Sequence, residues 1–368
     1  MARKRTDNVK GELASTINDI NKTYGNKVVA SAKQRPTPLR YSTGIFMIDF
    51  ATLGGIPIGR STQLLGERSA GKSTIACKII AAAQKANPDL VPIYCDIEGT
   101  LDQVWAEAQG VNLDNIQVVE THTGEMAVDI IEAVARSKET GIIVIDSLAM
   151  LTPTKELEAT ADAQQMGLQA RLIGRLVRKL TNIMVEERRR NHLITPLFIN
   201  QYRMSIGTMF GDPRIVPGGR VVEHLHSLNL ELRNKEIKGK DADDIEAVIE
   251  NEHAFTIKKN KQCNGVRLGE FRMARVEGNG LMPGDPNDVK TMISYAKKFG
   301  LWTGGGKNQK LTIDDDSWNF GTMDQCVLEM NEDHKFKNRL RNRLIAMQAK
   351  RMGQRDEFVE WLDNQLEK

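Results

Sequence analysis

Nine consecutive residues, Gly66-Glu67-Arg68-Ser69-Ala70-Gly71-Lys72-Ser73-Thr74, have the types and spacing of a phosphate-binding loop, G-x-x-x-x-G-K-[ST]. Gly66 and Gly71 let the backbone curl so that successive N–H groups point inward at phosphate oxygens. Lys72 then meets the β- and γ-phosphates as a point charge, and the Ser73 hydroxyl is placed to ligate Mg²⁺. The species this chemistry calls for are ATP and Mg²⁺. The context agrees: residues 61–66 read as a strand entering the loop. Residues 72–86, rich in Ala and Ile with no breaker, read as a helix leaving it, and a helix N-terminus favours anions. A glycine-rich turn without nucleotide is the bland alternative, but a chance match rarely falls between such a strand and such a helix.

Three further polar positions end apolar runs. Ile142-Ile143-Val144-Ile145-Asp146-Ser147 places a carboxylate at the C-terminal end of a buried strand, where it can hold the Mg²⁺ hydration shell beside Ser73; the plain alternative is an Asp capping the next turn. Asp96-Ile97-Glu98 ends the strand after the loop helix, and Glu98 is the best-placed carboxylate to activate water, against a surface Glu in a βα loop. Asn200-Gln201 ends the run 195–201, so the Gln201 amide is either a sensor of the γ-phosphate or simple polar termination.

Two loops join this set, one near 153–166 and one spanning 202–220. The second mixes Arg203, Arg214 and Arg220 with Met204, Ile206, Met209 and Phe210. Long loops are often functional, and cations with interleaved apolar groups suit phosphates and bases. Arg171, Arg175 and Arg178 follow the first loop along one face of a helix, where a solvated face is the ordinary reading. In a strand candidate at 254–261, alternation turns Lys259 and Lys261 to one side, either exposed or reaching a phosphate. His224 and His226, at i, i+2, lack the further ligands a metal site needs.

These residues need a scaffold, and the chain supplies one. It has 368 residues, 40% hydrophobic and 27% charged, which is ordinary globular composition; a net charge of +3 is too small to prove an anionic partner. Cys77, Cys95, Cys263 and Cys326 lie far apart without a C-x-x-C pair, which argues against a zinc or disulfide scaffold and fits a reducing compartment. The N-terminal residues lack a secretory pattern and no apolar run approaches bilayer-spanning length, so a cytoplasmic location and no membrane partner are expected. Strand candidates at 61–66, 91–97, 116–120, 141–146 and 195–201 alternate with helices at 72–86, 101–109, 124–139 and 167–190, which makes an α/β fold with a mainly parallel sheet. Strands at 226–233, 254–261 and 268–276 follow without long helices and suggest an antiparallel extension. Residues 1–40 read as an amphipathic helix (9–25), a short strand at Val28-Val29-Ala30 and a linker; the helix packs either on its own core or on a neighbouring subunit. Residues 41–281 form the core. Residues 282–368 read as a smaller α+β domain with helices at 286–299, 322–331, 335–352 and 355–366, separated by Thr303-Gly304-Gly305-Gly306 and Asp314-Asp315-Asp316.

In this order the pieces resemble the RecA-type homologous recombinases of bacteria and phages, over about residues 10–302. The resemblance rests on Tyr41 to Asp49, Gly54 to Arg60, Asp96-Ile97-Glu98-Gly99-Thr100-Leu101-Asp102, Asp146 to Pro153, Met166 to Arg171, and above all Phe198-Ile199-Asn200-Gln201-Tyr202-Arg203-Met204 continuing to Gly211 and Gly218-Gly219. It implies a P-loop NTPase core of that family's type, with DNA-stimulated ATP hydrolysis at subunit interfaces in a helical filament on single-stranded DNA, and strand exchange with homologous double-stranded DNA. By resemblance Glu98 activates water, Gln201 senses the γ-phosphate, Asp102, Trp105 and Arg275 fall around adenine, and Lys259 and Lys261 reach ATP on the neighbour. Met166, Gly167, Arg171, Arg178, Arg203, Met204, Ile206, Gly218 and Gly219 fall where the family holds single-stranded DNA, with Arg220 beside them. The N-terminal helix then docks on the next protomer, as a homo-oligomer requires.

The chain also departs from the pattern. Glu223 and His224 stand where the family has a Lys-aromatic interface pair, and a charge reversal there changes which partner group is acceptable. Arg275 replaces an aromatic; a guanidinium also stacks. Bacterial members of the family commonly carry an acidic tail, which is not expected after Gln365-Leu366-Glu367-Lys368, and Lys335, Lys337, Arg339, Arg341, Arg343, Lys350 and Arg351 make the terminal helices basic, either as a solvated face or for duplex DNA. Two rivals are a hexameric DNA helicase on the same core, which does not predict the 198–211 segment, and a P-loop small-molecule kinase, which leaves the arginine-bearing loops unexplained.

Overall fold

A computed structural model of the chain describes residues 11–25, 28–30, 37–158, 167–204, 214–240 and 245–364. After α1 (Glu12–Tyr24), the chain runs β1 (Arg40–Tyr41), α2 (Phe46–Thr52), β2 (Ile56–Pro57), β3 (Thr62–Gly66), α3 (Lys72–Ala86), β4 (Val91–Asp96), α4 (Gln103–Ala108), β5 (Gln117–Val119), α5 (Gly124–Ala135) and β6 (Thr140–Asp146). Then come α6 (Thr154–Leu157), α7 (Leu168–Arg189), β7 (Thr195–Asn200), β8 (Arg203–Met204), β9 (Arg214–Ile215), α8 (Gly219–Leu225), β10 (Leu228–Lys240), β11 (Glu246–Asn260) and β12 (Leu268–Ala274). The C-terminal part holds α9 (Val289–Lys298), β13 (Trp302–Gly305), β14 (Asn308–Ile313), β15 (Asp316–Phe320), α10 (Met323–Glu332), α11 (His334–Arg351) and α12 (Asp356–Asp363).

Eight strands form the main sheet in the order β12-β11-β10-β3-β7-β6-β4-β5. From β10 to β5 every neighbouring pair is parallel, while β11 and β12 add antiparallel to its edge. Parallel strands need both faces covered, and the sequence meets this by making them apolar throughout. In β6, Ile142 and Val144 face one core and Ile143 and Ile145 the other. The first core is roofed by α2, α3 and the C-terminal helices, the second by α5, α7 and α8.

Three expectations need correction. Val28–Ala30 is a bend, not a strand, because the Asn21 side chain serves both backbone groups of Val29: Nδ2 donates to its oxygen and Oδ1 accepts from its nitrogen, each at 2.9 Å. The strands expected at 226–233 and 254–261 are parts of a far longer hairpin, β10–β11, whose outer half leaves the core; its polar sequence hides the strand because there is no buried face to mark. The Gly-rich and Asp-rich pieces thought to separate helices are turns of a three-stranded antiparallel sheet, β13-β14-β15. At Gly304, φ +85° and the Asn308 carbonyl leave no room for a side chain, and Asp314 takes φ +53°, which Asp tolerates. Trp302 and Phe320 stack beneath that sheet at 5.6 Å.

Of the basic residues expected to face solvent or duplex DNA on α11, Lys337 and Arg341 are buried, Arg339 and Arg343 are half-buried in ion pairs, and Lys335, Lys350 and Arg351 are exposed. Lys337 pairs with Asp288 at 3.1 Å, Arg339 with Asp316 at 2.7 Å, Arg343 with Asp314 at 2.7 Å, and Arg341 with Asp49. The Asp-rich turn thus meets two of the charges of the helix beside it, Arg339 and Arg343. Among the described residues, no helix is long and apolar enough to cross a membrane.

Candidate nucleotide site and its link to two loops

The loop at 66–71 leaves the C-terminal end of β3 and enters α3, so its amides and the helix N-terminus converge. Gly66 is obligatory here because a Cβ would strike the Leu232 carbonyl of β10, and Ser69 and Gly71 take φ +58° and +81°. Glu67, Arg68 and Ser69 are exposed, whereas Ala70 is buried. Lys72 is buried, with Nζ donating to the oxygens of Gly66 at 3.2 Å and Glu67 at 2.5 Å. Burial pulls its pKa down, and the nearby Asp146, Glu98 and Glu67 oppose that. A concave loop of N–H donors with a cation across its mouth fits a triphosphate.

Asp146 closes the metal side. Its Oδ2 accepts from Ser73 Oγ at 2.8 Å and from the Tyr94 hydroxyl at 2.7 Å. Burial raises its pKa, which those two hydrogen bonds oppose. A divalent cation beside Ser73 and Asp146 would relieve the same penalty, so the donor set fits Mg²⁺. Tyr94 was not singled out from the sequence. Its signal was present: a lone hydroxyl in an otherwise apolar buried strand must find a partner.

Glu98 stands opposite. Asp96 accepts from the amides of Thr100 (3.2 Å) and Leu101 (2.8 Å), which shapes the turn that carries it. Glu98 Oε1 accepts from Ser147 Oγ at 2.7 Å and Gln201 Nε2 at 2.8 Å. Three strand ends, after β4, β6 and β7, therefore meet on one carboxylate. Thr74 Oγ1 accepts from Trp105 Nε1 at 3.2 Å, while Asp102 caps α4 by accepting from Trp105 N at 3.0 Å.

Beyond Gln201 the chain enters the second loop. Its ends zip as β8–β9, with Arg203 opposite Ile215 and Met204 opposite Arg214. The carbonyl of Ala149 accepts from Arg203 and, at 2.9 Å, from Gln169 on α7, tying both loops to the segment after Asp146. Gly218 is packed against Ile173 and Val222 at φ +90°, and Pro217 O accepts from Asn200 Nδ2 at 3.1 Å. Gly219 follows at φ +65°. Arg171, Arg175, Arg178, Arg203 and Met204 are exposed, and Gly167 caps α7. Met166, Ile206, Met209 and Phe210 lie outside the described residues, as does the side chain of Arg220.

An unanticipated acid sits under this loop. Glu231 of β10 is 2% exposed and meets the Tyr202 hydroxyl (2.9 Å), Lys258 (2.8 Å), Arg233 (3.3 Å) and Arg214 (3.8 Å); Arg214 also covers the Tyr202 ring. Burial pushes its pKa up, but the hydrogen bonds from Lys258 and Tyr202 outweigh that, so the carboxyl titrates below the usual range. An acid held below its unfolded value stabilises the fold above that value, and the contribution vanishes as pH falls through the folded pKa. Glu231→Gln is therefore expected to cost stability at about pH 7 and much less at about pH 3, read by urea unfolding; a gap that does not narrow on acidification contradicts this.

Other expected residues have their partners elsewhere in this chain. Lys259 Nζ donates to the carbonyls of Glu223 (2.9 Å) and His224 (2.7 Å), and Lys261 to His224 (3.4 Å), so within this chain both cap the end of α8. Arg275 is exposed beyond β12, its N–H held by Ile249 O at 2.8 Å. His226 is fully buried against Phe198.

A family model described as RecA N-terminal domain matches residues 11–280. The chain is 37% identical over 303 residues to Protein RecA of Methylococcus capsulatus, covering 80% of this chain and 83% of that protein. It is 34% identical over 299 residues to Protein RecA of Marinobacter nauticus, with the same two coverages. Protein RecA of Anaplasma marginale is 34% identical over 292 residues, 78% of each chain.

Proposed function

The chain belongs to the RecA family of recombination proteins, and on that premise we propose that it is an ATP- and Mg²⁺-dependent DNA recombinase. It polymerises on single-stranded DNA, places ATP between subunits and exchanges strands with homologous double-stranded DNA. The observation that carries this reading is the Gln201–Glu98–Ser147 junction, in which the residue that opens the second loop hydrogen-bonds the carboxylate beside the phosphate site. A P-loop kinase has no need of that bond; a protein whose DNA grip and nucleotide state are coupled does.

The residues divide the work. Gly66 to Thr74 cradle the phosphates, Lys72 neutralises them, and Ser73 and Asp146 hold Mg²⁺, which when bound supplies charge stabilisation to the leaving phosphates. Glu98 orients and deprotonates the attacking water. Asp102 and Trp105, held beside Thr74, face the base, and Arg275 is assigned to it by the resemblance alone. Gln201 exchanges its bond to Glu98 for the γ-phosphate, which moves the loop that follows. Gly167, Arg171, Arg178, Arg203, Met204, Gly218, Gly219 and Arg220, with Met166 and Ile206, track the DNA backbone and separate its bases, giving affinity without sequence preference. Lys259 and Lys261 act on the nucleotide of the neighbouring subunit. The surface of α1 supports assembly: none of its residues is buried, and Leu13 and Tyr24 are 59% and 72% exposed.

The test is the ATPase rate with and without poly-dT, with Lys72→Ala as the blank. Wild type is expected to be stimulated at least about tenfold, and Gln201→Ala to bind nucleotide yet lose the stimulation. A wild-type rate indifferent to DNA overturns the recombinase reading and returns the chain to the kinase class.

A further inference from the structure

The hairpin β10–β11 touches the phosphate-binding loop at both ends. At the start, the Leu232 carbonyl of β10 lies where a Gly66 Cβ would be. At the other end stands His253 of β11, 1% exposed, with its ring stacked on Phe271 of β12 at 4.8 Å and 12°. A Cβ on Gly71 would lie 3.0 Å from its Cε1, so the imidazole is in contact with the loop. The ring hydrogen-bonds the Ala70 backbone, and because that bond raises its basicity the imidazole is the donor and the carbonyl the acceptor. Nδ1 has no partner, which makes Nε2 the donating nitrogen.

We propose that His253 is a positioning residue of the phosphate site, fixing the Ala70–Gly71 peptide with the Gly71 N–H turned toward the nucleotide. A trans peptide is planar, with C=O and N–H pointing in opposite directions. A donor that grips the Ala70 oxygen from the sheet side therefore aims the Gly71 N–H into the loop. Gly71, at φ +81°, has no Cβ to restrict rotation of that peptide, so something else must hold it. The fit is close, since a side chain at Gly71 would press on the ring at 3.0 Å and push it back by a few tenths of an ångström. Burial lowers the His253 pKa to about 4, so the ring is neutral at working pH and adds no charge to compete with Lys72 for the phosphates. This inference rests on the nucleotide reading of the loop.

The test compares His253→Gln, which keeps a donor at the same reach, with His253→Leu, which fills the space without one. ADP affinity is read by calorimetry and KM and kcat by phosphate release on the full chain. His253→Leu is expected to weaken ADP binding and raise KM about tenfold, equal to about 1.4 kcal/mol, with kcat changed less than about twofold. His253→Gln stays within about threefold of wild type. His253→Asn, whose amide is too short to reach, behaves like the Leu variant and substitutes for it should that fail to fold. Equal affinities for the Gln variant and for the Leu or Asn variant, or a Leu variant that binds like wild type, overturn the proposal. Wild-type protein that binds ADP no better than Lys72→Ala overturns the nucleotide reading and this proposal with it.

Discussion

Glu98→Gln is expected to lower the DNA-stimulated kcat for ATP by about 10²–10⁴-fold, the range over which a positioned general base acts, while ADP affinity shifts by less than about threefold. The substitution keeps the shape of the side chain and a carbonyl oxygen able to accept from Ser147 and Gln201. What it removes is the capacity to take a proton. Both donors converge on Oε1 of Glu98, which leaves Oε2 for the attacking water of the proposed mechanism. Charge also matters: Lys72 feels Glu98 as well as Asp146 and Glu67, and losing one of these lowers the local negative field where a triphosphate must sit. Nucleotide binding is thus preserved or slightly improved while hydrolysis stops, a split between kcat and affinity that loss of folding cannot imitate. Phosphate release and calorimetry read the two quantities. A variant that hydrolyses ATP at the wild-type rate would return Glu98 to an ordinary βα-loop carboxylate.

The parts of the site that were legible in the sequence share one property: each announces itself within a few residues. The phosphate loop is a continuous motif between a strand and a helix, and Asp146, Glu98 and Gln201 each end an apolar run, which is where parallel sheets gather their functional groups. The rest depends on pairing between distant segments. Glu231 reads as the polar face of a strand alternating with Leu228, Leu230 and Leu232, and only the register that sets β10 beside β3 shows it buried under Tyr202. His253 likewise has no local signal; its role emerges because β11 crosses beside the loop. The outer half of the β10–β11 hairpin is hidden in the sequence because residues outside a core carry no hydrophobic alternation. The β13–β15 sheet was missed because its turn residues also serve as helix separators. Lys259 and Lys261 were recognised as a same-side pair, but their partners in this chain, the last carbonyls of α8, are invisible without the fold.

Asp49→Ala is expected to destabilise the protein by about 3–5 kcal/mol, the cost of leaving one half of a buried ion pair uncompensated. Asp49 is fully buried in α2 and accepts from Thr43 N (3.0 Å), Thr43 Oγ1 (2.6 Å), Ser42 Oγ (2.8 Å) and the guanidinium of Arg341 from α11. Burial lowers the Arg341 pKa to about 10, so it remains charged at neutral pH, and among the described residues it pairs with no other carboxylate. A parallel clasp lies nearby, where Asp288 accepts from Phe46 N at 3.2 Å and pairs with Lys337. The two clasps bind the start of the core to the last long helix. Replacing both members, Asp49→Leu with Arg341→Met, removes the uncompensated charge and is expected to recover that part of the loss, while the Thr43 and Ser42 donors stay without their acceptor. Urea unfolding of the two single variants and the double variant measures the coupling. An Asp49→Ala variant as stable as wild type would mean that the Arg341 charge is solvated in the native state, contrary to its burial. Because α2 leads directly into β2 and β3, the same loss should reach the phosphate loop, and ADP affinity in the single variant should fall together with its stability.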